Sequence, residues 1–349
     1  MKKEMYSSEV TLLRDTFRRL LRRHAKTNIV KLLDKTHPSD LALIFRYFND
    51  AEQDSIFSNM LPSEETVKFL YELDESIATR LIERETAERL AEIMQQASSN
   101  EQAFLMGLVS DEFASSVIDL LQAEEQEELE EMMAYPEDSA GILMYTDVFT
   151  LHEETKAREA IYALQDQEDA EMVFYLYTLD DDGRLTGVIS LRDLVTTPSE
   201  TMLKDIMSKN IQAVRAETDQ EEVARIVSQY NFLAVPVVDA SEKLLGIVTV
   251  DSVVDVIREE ATEDFLQLAG AGKDREILLK SSWENARIRL PWLFASWIGG
   301  ILAAFIIGVF DDILESTIAL AAFIPVIIGM GGNVGTQSST IIVRGLATG

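Results

Sequence analysis

The chain has no cysteine and only three histidines, His24, His37 and His152, scattered over 349 residues. Thiolate and imidazole are the usual ligands of zinc, copper and iron–sulfur clusters, so the sequence argues against such centres. No disulfide framework can form either, which suits a reducing cytosol. Positive charge is scarce, with 31 Lys and Arg against 61 Asp and Glu, a formal net charge of −30. That balance repels phosphate backbones and argues against nucleic acid as a partner. It attracts cations, and carboxylate oxygens suit the hard divalent ions magnesium, calcium and manganese. Catalytic signatures are missing too: there is no nucleophile–base set, no phosphate-binding glycine loop with a lysine, and no HExxH metal motif. The chain therefore reads as a non-enzyme. Its start is polar and basic (Arg18, Arg19, Arg22, Arg23) without an apolar core, unlike a secretory signal, so the acidic part is expected in the cytosol.

The chain contains a long polar part, in which two kinds of repeat are legible. From about Lys26 to Met133 apolar positions recur at helical spacing with few glycines, predicting an all-α region. His37-Pro38-Ser39-Asp40 and Leu61-Pro62-Ser63-Glu64 lie 24 residues apart, each with a proline and a serine of helix-capping type. Val109-Ser110-Asp111-Glu112 repeats the idea two periods later, predicting stacked helical hairpins in a small solenoid. The acidic run Glu124–Glu131 reads as a solvated face.

The second repeat is clearer. Tyr175–Val195 and Val235–Val254 each read as a strand, an acidic turn, a strand after Gly187 or Gly246, and a helix start; the two glycines are 59 residues apart. An amphipathic helix precedes each copy, Thr155–Gln165 and Gln220–Tyr230, so an α/β module is used twice. The pattern of glycine, two apolar residues, and Ser or Thr resembles the core of CBS domains, and a tandem pair resembles a Bateman module. In that family a Ser/Thr-x-x-Asp pattern cradles a nucleotide ribose. The resemblance implies adenosine nucleotide, ATP, as a ligand of the first copy at Ser190, Arg192 and Asp193. The second copy has Ser252 where Asp is expected. Asp193 serves equally well as a cap for the helix that follows it.

After the second copy, Val253–Leu268 reads as one helix. Val254, Ile257, Ala261, Phe265 and Leu268 fall within a stripe of roughly 80° at about 100° per residue. Asp255, Glu259, Glu260, Glu263 and Asp264 fill much of the rest, offset only by Arg258. Like charges four residues apart each destabilise a helix by a few tenths of a kcal/mol, so a cation is expected nearby.

Long uncharged runs come only at the C-terminal end. Pro291–Phe310 has no charge over 20 residues, about the ~30 Å of a bilayer core at 1.5 Å per residue, and predicts a transmembrane helix. Asp311, Asp312 and Glu315 form an acidic turn, and Ser316–Val343 is a second uncharged run, of 28 residues. Lys280, Arg287 and Arg289 before the first run and Arg344 after the second place both ends of this hairpin on the cytosolic side. The second run is not a plain anchor: around Gly331-Gly332-Asn333-Val334-Gly335-Thr336-Gln337 it carries amides and hydroxyls, which at membrane depth face a bundle interior or a water-filled path. Close packing through Gly331 and Gly335 explains the glycines but not Asn333 and Gln337. A path lined by Asn333, Gly335, Thr336 and Gln337 suits a cation that keeps its water.

Helical repeats, a CBS pair, an acidic connecting helix and GGNVGTQSST together resemble the MgtE family of magnesium channels over essentially the whole chain. The expected architecture is multidomain: a helical superhelical N-domain (1–133), two α/β CBS domains (134–200 and 201–253), a connecting "plug" helix (254–280) and a transmembrane hairpin (281–349). The resemblance implies a homodimer in contact with membrane lipid, multi-pass in the bacterial inner membrane with cytoplasmic N-terminal domains. It implies Mg2+ both as cargo and as regulator, with loaded cytosolic domains locking the plug helix and closing the pore. The implied regulatory ligands are Asp255, Glu260, Glu263 and Asp264 on the plug, Asp219 and Glu221 on the second CBS copy, and Asp111 in the N-domain. Val250-Asp251-Ser252-Val253 stands where the family often has two adjacent aspartates, so one expected ligand is missing. The family has five membrane helices per subunit, so the resemblance also implies a partial chain. Two other readings stay open: a membrane-anchored nucleotide sensor, and a transporter of another divalent cation such as Co2+ or Mn2+.

Overall fold

The computed structural model describes residues 2–61, 63–166, 174–268, 282–310, 313 and 322–348. They form two compact units, Met1–Val254 and Asp255–Gly349.

The first unit opens with a helical domain. A long helix α1 (Lys2–Arg22) leads to nine short ones: α2 (Lys26–Leu33), α3 (Pro38–Phe45), α4 (Asp50–Phe57), α5 (Glu64–Tyr71), α6 (Glu75–Ile82), α7 (Ala87–Met94), α8 (Ser99–Gly107), α9 (Asp111–Ile118) and α10 (Ala123–Met133). The 24-residue spacing in the sequence is a pair of these helices. Alternate helices stack, α3 on α5, α5 on α7, α7 on α9 and α8 on α10, as the predicted solenoid requires. The starts of α4 to α9 each stand behind a short polar residue, Asn49, Ser63, Asp74, Thr86, Ser98 and Ser110. Asn49 and Glu52 close a capping box around the start of α4, and Ser63 Oγ accepts the Thr66 amide at the start of α5. One cap differs from expectation. Pro38 is the first helical residue of α3, which places Ser39 inside the helix and leaves His37 as its cap through Nδ1. Phe17 of α1, Phe48, Phe45 and Phe69 run through the core as edge-on ring contacts 5.0–6.2 Å apart.

A four-residue turn of helix, α11 (Ala140–Leu143), leads into the α/β part: β1 (Thr150–His152), α12 (Ala157–Asp166), β2 (Tyr175–Leu179), β3 (Leu185–Ser190), α13 (Leu191–Thr196), then β4 (Val214–Arg215), α14 (Gln220–Tyr230), β5 (Ala234–Val238) and β6 (Leu244–Thr249). The two copies have the same topology, a parallel then an antiparallel pairing in the orders β1-β2-β3 and β4-β5-β6. Even the irregularity repeats, at Thr178/Leu179 and at Val237/Val238. Strand alternation divides β2 between two cores. Leu176 joins the core of its own copy with Ile189 and Leu194, while Tyr177 packs with Ala234 and Ile247 of the second copy.

The repeated glycines exist because the copies exchange their lead-in segments. The residues before copy one bridge to β6 of copy two, Tyr145 to Ile247, and those before copy two bridge to β3 of copy one, Ser208 to Val188. A Cβ on Gly246 would lie 2.6 Å from the Tyr145 carbonyl oxygen, and one on Gly187 would lie 2.4 Å from Met207 Sδ. Any side chain there would push the exchanged segment away.

The chain continues without a break from Thr249 of β6 into α15 (Val250–Leu268). At its first turns Ser252, Val253 and Val256 are buried, whereas Val254, Ile257 and Phe265 of the apolar stripe are exposed. The side chain of Leu268 and the segment 269–281 lie outside the described residues.

In the second unit, α16 (Ser282–Val309) starts earlier than the uncharged run, and Pro291 lies within it. Among the described residues it is the one helix long and apolar enough to cross a membrane, with a mean hydropathy of 2.1 over its best window. The second uncharged run is described from residue 322, where α17 (Ile324–Thr348) carries the polar motif. The acidic turn at Asp311, Asp312 and Glu315 lies outside the described residues.

Candidate cation and nucleotide sites

The seven carboxylates expected to hold a regulatory cation occupy three places. Asp111 is the first residue of α9, exposed, behind its cap Ser110. Asp219 caps α14, its Oδ1 accepting the Glu221 amide at 2.8 Å, and both side chains are exposed at that helix end. The cap alone accounts for Asp219, since a carboxylate is favoured at a helix N-terminus by the free amides and the dipole. The remaining four lie along α15. Asp255 faces Arg258 Nη1 at 3.4 Å. Glu260 and Asp264 are half-buried. Glu263 is buried, 8% exposed, and its Oε1 accepts a hydrogen bond from Gln267 at 3.1 Å. That burial sets Glu263 apart from the other three. Among the described residues, no three His, Asp or Glu side chains converge as a metal site within one chain.

The three nucleotide residues sit at the β3–α13 corner. Ser190 caps α13: its Oγ accepts the Asp193 amide at 3.1 Å and donates to Asp193 Oδ2 at 2.7 Å. The capping reading of this pair is therefore realised, and a ribose would have to compete with the serine for Asp193. Arg192 is exposed beside them, with no ion pair among the described residues. In the second copy the matching hydroxyls, Thr249 and Ser252, are buried and 3.3 Å apart. A cleft of about 450 Å³ beside β1 of the first copy is lined by Val148, Phe149, Thr150, Leu151, Ala163 and Asp166 rather than by these three residues.

Asn333, Gly335, Thr336 and Gln337 all lie on α17 and are exposed in the single chain. Thr336 Oγ1 donates to the Gly332 carbonyl at 3.1 Å, and Thr340 Oγ1 to that of Thr336 at 2.9 Å. These hydroxyls are satisfied along their own helix.

One polar cluster escaped the sequence reading. At the junction of the helical domain with the α/β part, Ser99 Oγ lies 2.7 Å from Thr146 Oγ1 and accepts the Thr146 amide at 3.2 Å. The Thr146 hydroxyl also meets the Glu128 carboxylate. Glu128 belongs to the run read as a solvated face and is exposed, as are Glu124, Glu127, Glu130 and Glu131. No local pattern could have flagged this cluster, because its members lie 47 and 18 positions apart.

Comparison with known proteins comes down on one family. The MgtE intracellular N domain model matches residues 36–138, and the CBS domain model matches 140–200 and 203–259. The magnesium transporter MgtE of Bacillus subtilis is 32% identical over 317 residues, covering 90% of this chain and 70% of that protein. The magnesium transporter MgtE of Thermus thermophilus is 35% identical over 333 residues, covering 91% and 72%. Among solved structures, the cytosolic domain of the Mg2+ channel MgtE in complex with ATP aligns with a TM-score of 0.66 at 31% identity, over 70% of this chain and 99% of that one. The soluble part of a magnesium transporter aligns at 0.63 and 27% identity, over 72% and 99%.

Proposed function

The chain belongs to the MgtE family of magnesium transporters, and from that premise we propose that its acidic cytosolic part senses Mg2+ and gates the transport the family performs. The observation that carries the proposal is α15. It leaves β6 of the second CBS copy without a break, and it bears Asp255, Glu259, Glu260, Glu263 and Asp264, with Glu263 buried. Like charges so placed repel. A unit pair at 4 Å costs about 1 kcal/mol in water and about 4 at an effective dielectric of 20.

Mg2+ held at Asp255, Glu260, Glu263 and Asp264, with further ions at Asp219 and Glu221 and at Asp111, removes that repulsion and favours the closed state. Moving a two-state equilibrium from 1:99 to 99:1 takes about 5.5 kcal/mol of differential affinity, a sum that several weak sites reach together. When Mg2+ falls, the arrangement opens. Ions pass along a path lined by Asn333, Gly335, Thr336 and Gln337 in a transmembrane domain that starts with the hairpin α16–α17, set in the bacterial inner membrane. The assembly is a homodimer, a reading supported by the exposed apolar residues Val254, Ile257 and Phe265 on α15. ATP occupies the first CBS copy, with Arg192 on phosphate and Asp193 on ribose once Ser190 releases it.

Limited proteolysis and a thermal melt of the purified chain across millimolar Mg2+ test the sensor, with Ca2+, Mn2+ and Co2+ in parallel. Protection that Mg2+ induces at the lowest concentration supports the proposal, and an unchanged digest and melt sink it.

A further inference from the structure

We infer that Tyr145 and Thr146 are positioning residues through which the helical domain sets the first turn of α15, and so the helix that carries the sensing carboxylates. The inference rests on the sensor reading above and assigns the part that couples its domains. Tyr145 is held on three sides. Its backbone exchanges two hydrogen bonds with Ile247 of β6, at 2.8 and 2.9 Å. Its phenol lies beside Asn100 of α8 and Ser252 in the first turn of α15. Burial and the neighbouring Asp251 carboxylate raise its pKa, so the phenol keeps its proton. The next residue, Thr146, fastens to Ser99 of α8 and to Glu128 of α10.

Two adjacent residues thus tie two helices of the helical domain to the last strand and first helical turn of the route toward the membrane segment. Asn100 and Ser252 are both 5% exposed, so neither can turn to water when the phenol is lost. A joint of this kind is either a static fastener, present whatever the cation load, or a coupler that forms only in the closed state. The two differ in linkage: a coupler enters the Mg2+ equilibrium, and a fastener does not.

The test uses the full chain in detergent or nanodiscs and reads the Mg2+ midpoint of protease protection, with the melting temperature alongside. Tyr145→Phe and Thr146→Val each remove one hydroxyl and keep the shape. The midpoint is expected to rise roughly three- to tenfold in both, the range that one net hydrogen bond supplies. Thr146→Ser, which keeps the hydroxyl, is expected to restore the wild-type midpoint. Midpoints unchanged in both variants while the wild type still responds overturn the inference, even when both variants melt lower, because a static fastener gives that result. A wild-type chain that shows no Mg2+ response overturns the sensor reading itself and this inference with it. Should Tyr145→Phe fail to fold by circular dichroism, the Thr146→Val and Thr146→Ser pair decides the matter alone.

Discussion

Replacing Gly246 by alanine tests the exchange of lead-in segments between the two α/β copies. The new Cβ would stand 2.6 Å from the Tyr145 carbonyl oxygen and 3.0 Å from Met144 Cγ and Sδ. Tyr145 O accepts the Ile247 amide at 2.9 Å, and Ile247 O accepts the Tyr145 amide at 2.8 Å. Relief of the contact must lengthen this bridge, and Met144 and Ile247 are buried, so water cannot take over. A buried group left without its partner costs about 1–3 kcal/mol, and Gly→Ala returns about 0.4–1 through the unfolded chain. The net loss is roughly 0.5–2.5 kcal/mol, which for a unit of this size lowers the melting temperature by about 1–10 °C. Gly107→Ala is the paired control. It lies at the last residue of α8 with open space around it, and there alanine is expected to stabilise by about 0.5–1 kcal/mol. Scanning fluorimetry of both variants reads the two signs directly. If Gly246→Ala melts with the wild type, the close approach of Tyr145 is not what the glycine is for.

Tyr177 is 1% exposed and its hydroxyl has no hydrogen-bond partner among the described residues, so Tyr177→Phe is expected to hold or raise stability by up to about 1–2 kcal/mol; a lower melting temperature would show a partner in solution. The Lys156 ammonium, with Arg158 beyond it, holds the Glu200 carboxyl below its ordinary value. A carboxylate whose folded pKa is depressed adds stability above its unfolded pKa of 4.5 and loses it as pH falls through the folded value. Lys156→Met should therefore flatten the fall in melting temperature below about pH 4.5, and added salt should do the same in the wild type. The effect is small because the pair is exposed, and identical acid profiles would refute it. Asp193→Ala is expected to abolish any ATP-dependent rise in melting temperature while lowering the nucleotide-free stability by about 1 kcal/mol through weakening of the α13 cap. An undiminished ATP response would remove Asp193 from the nucleotide site.

Much of the fold was legible because its causes are local. Helices of eight residues with a capping residue every dozen or so leave a 24-residue rhythm, and two copies of strand, acidic turn, glycine and strand leave another. Even the glycine spacing is a packing record, since each glycine lies beneath the other copy's lead-in segment. Legibility ended where a local pattern had two physical solutions. Ser39 and Ser63 sit in similar contexts, but only Ser63 caps, because Pro38 fits the first helical position and moves the cap back to His37. Ser190 and Asp193 fit both a ribose cradle and a capping pair, and the chain closes them on one another.

The same limit governs the charge pattern. A run of carboxylates states that a helix is unstable alone; it does not state what relieves it. The chain answers differently at each place. Glu125 of α10 closes a capping box with Gln122, Glu128 takes the Thr146 hydroxyl, Asp219 caps α14, and Asp255 leans toward Arg258. Each of these is held by a donor within its own neighbourhood, so each has a reason to exist without a metal. Glu263 is buried, takes the Gln267 amide, and stands on a helix that also carries Glu259, Glu260 and Asp264 within one turn. If Mg2+ is what relieves this crowding, Glu263→Gln lowers the Mg2+-induced rise in melting temperature, and a variant that keeps the full rise removes Glu263 from the sensing set.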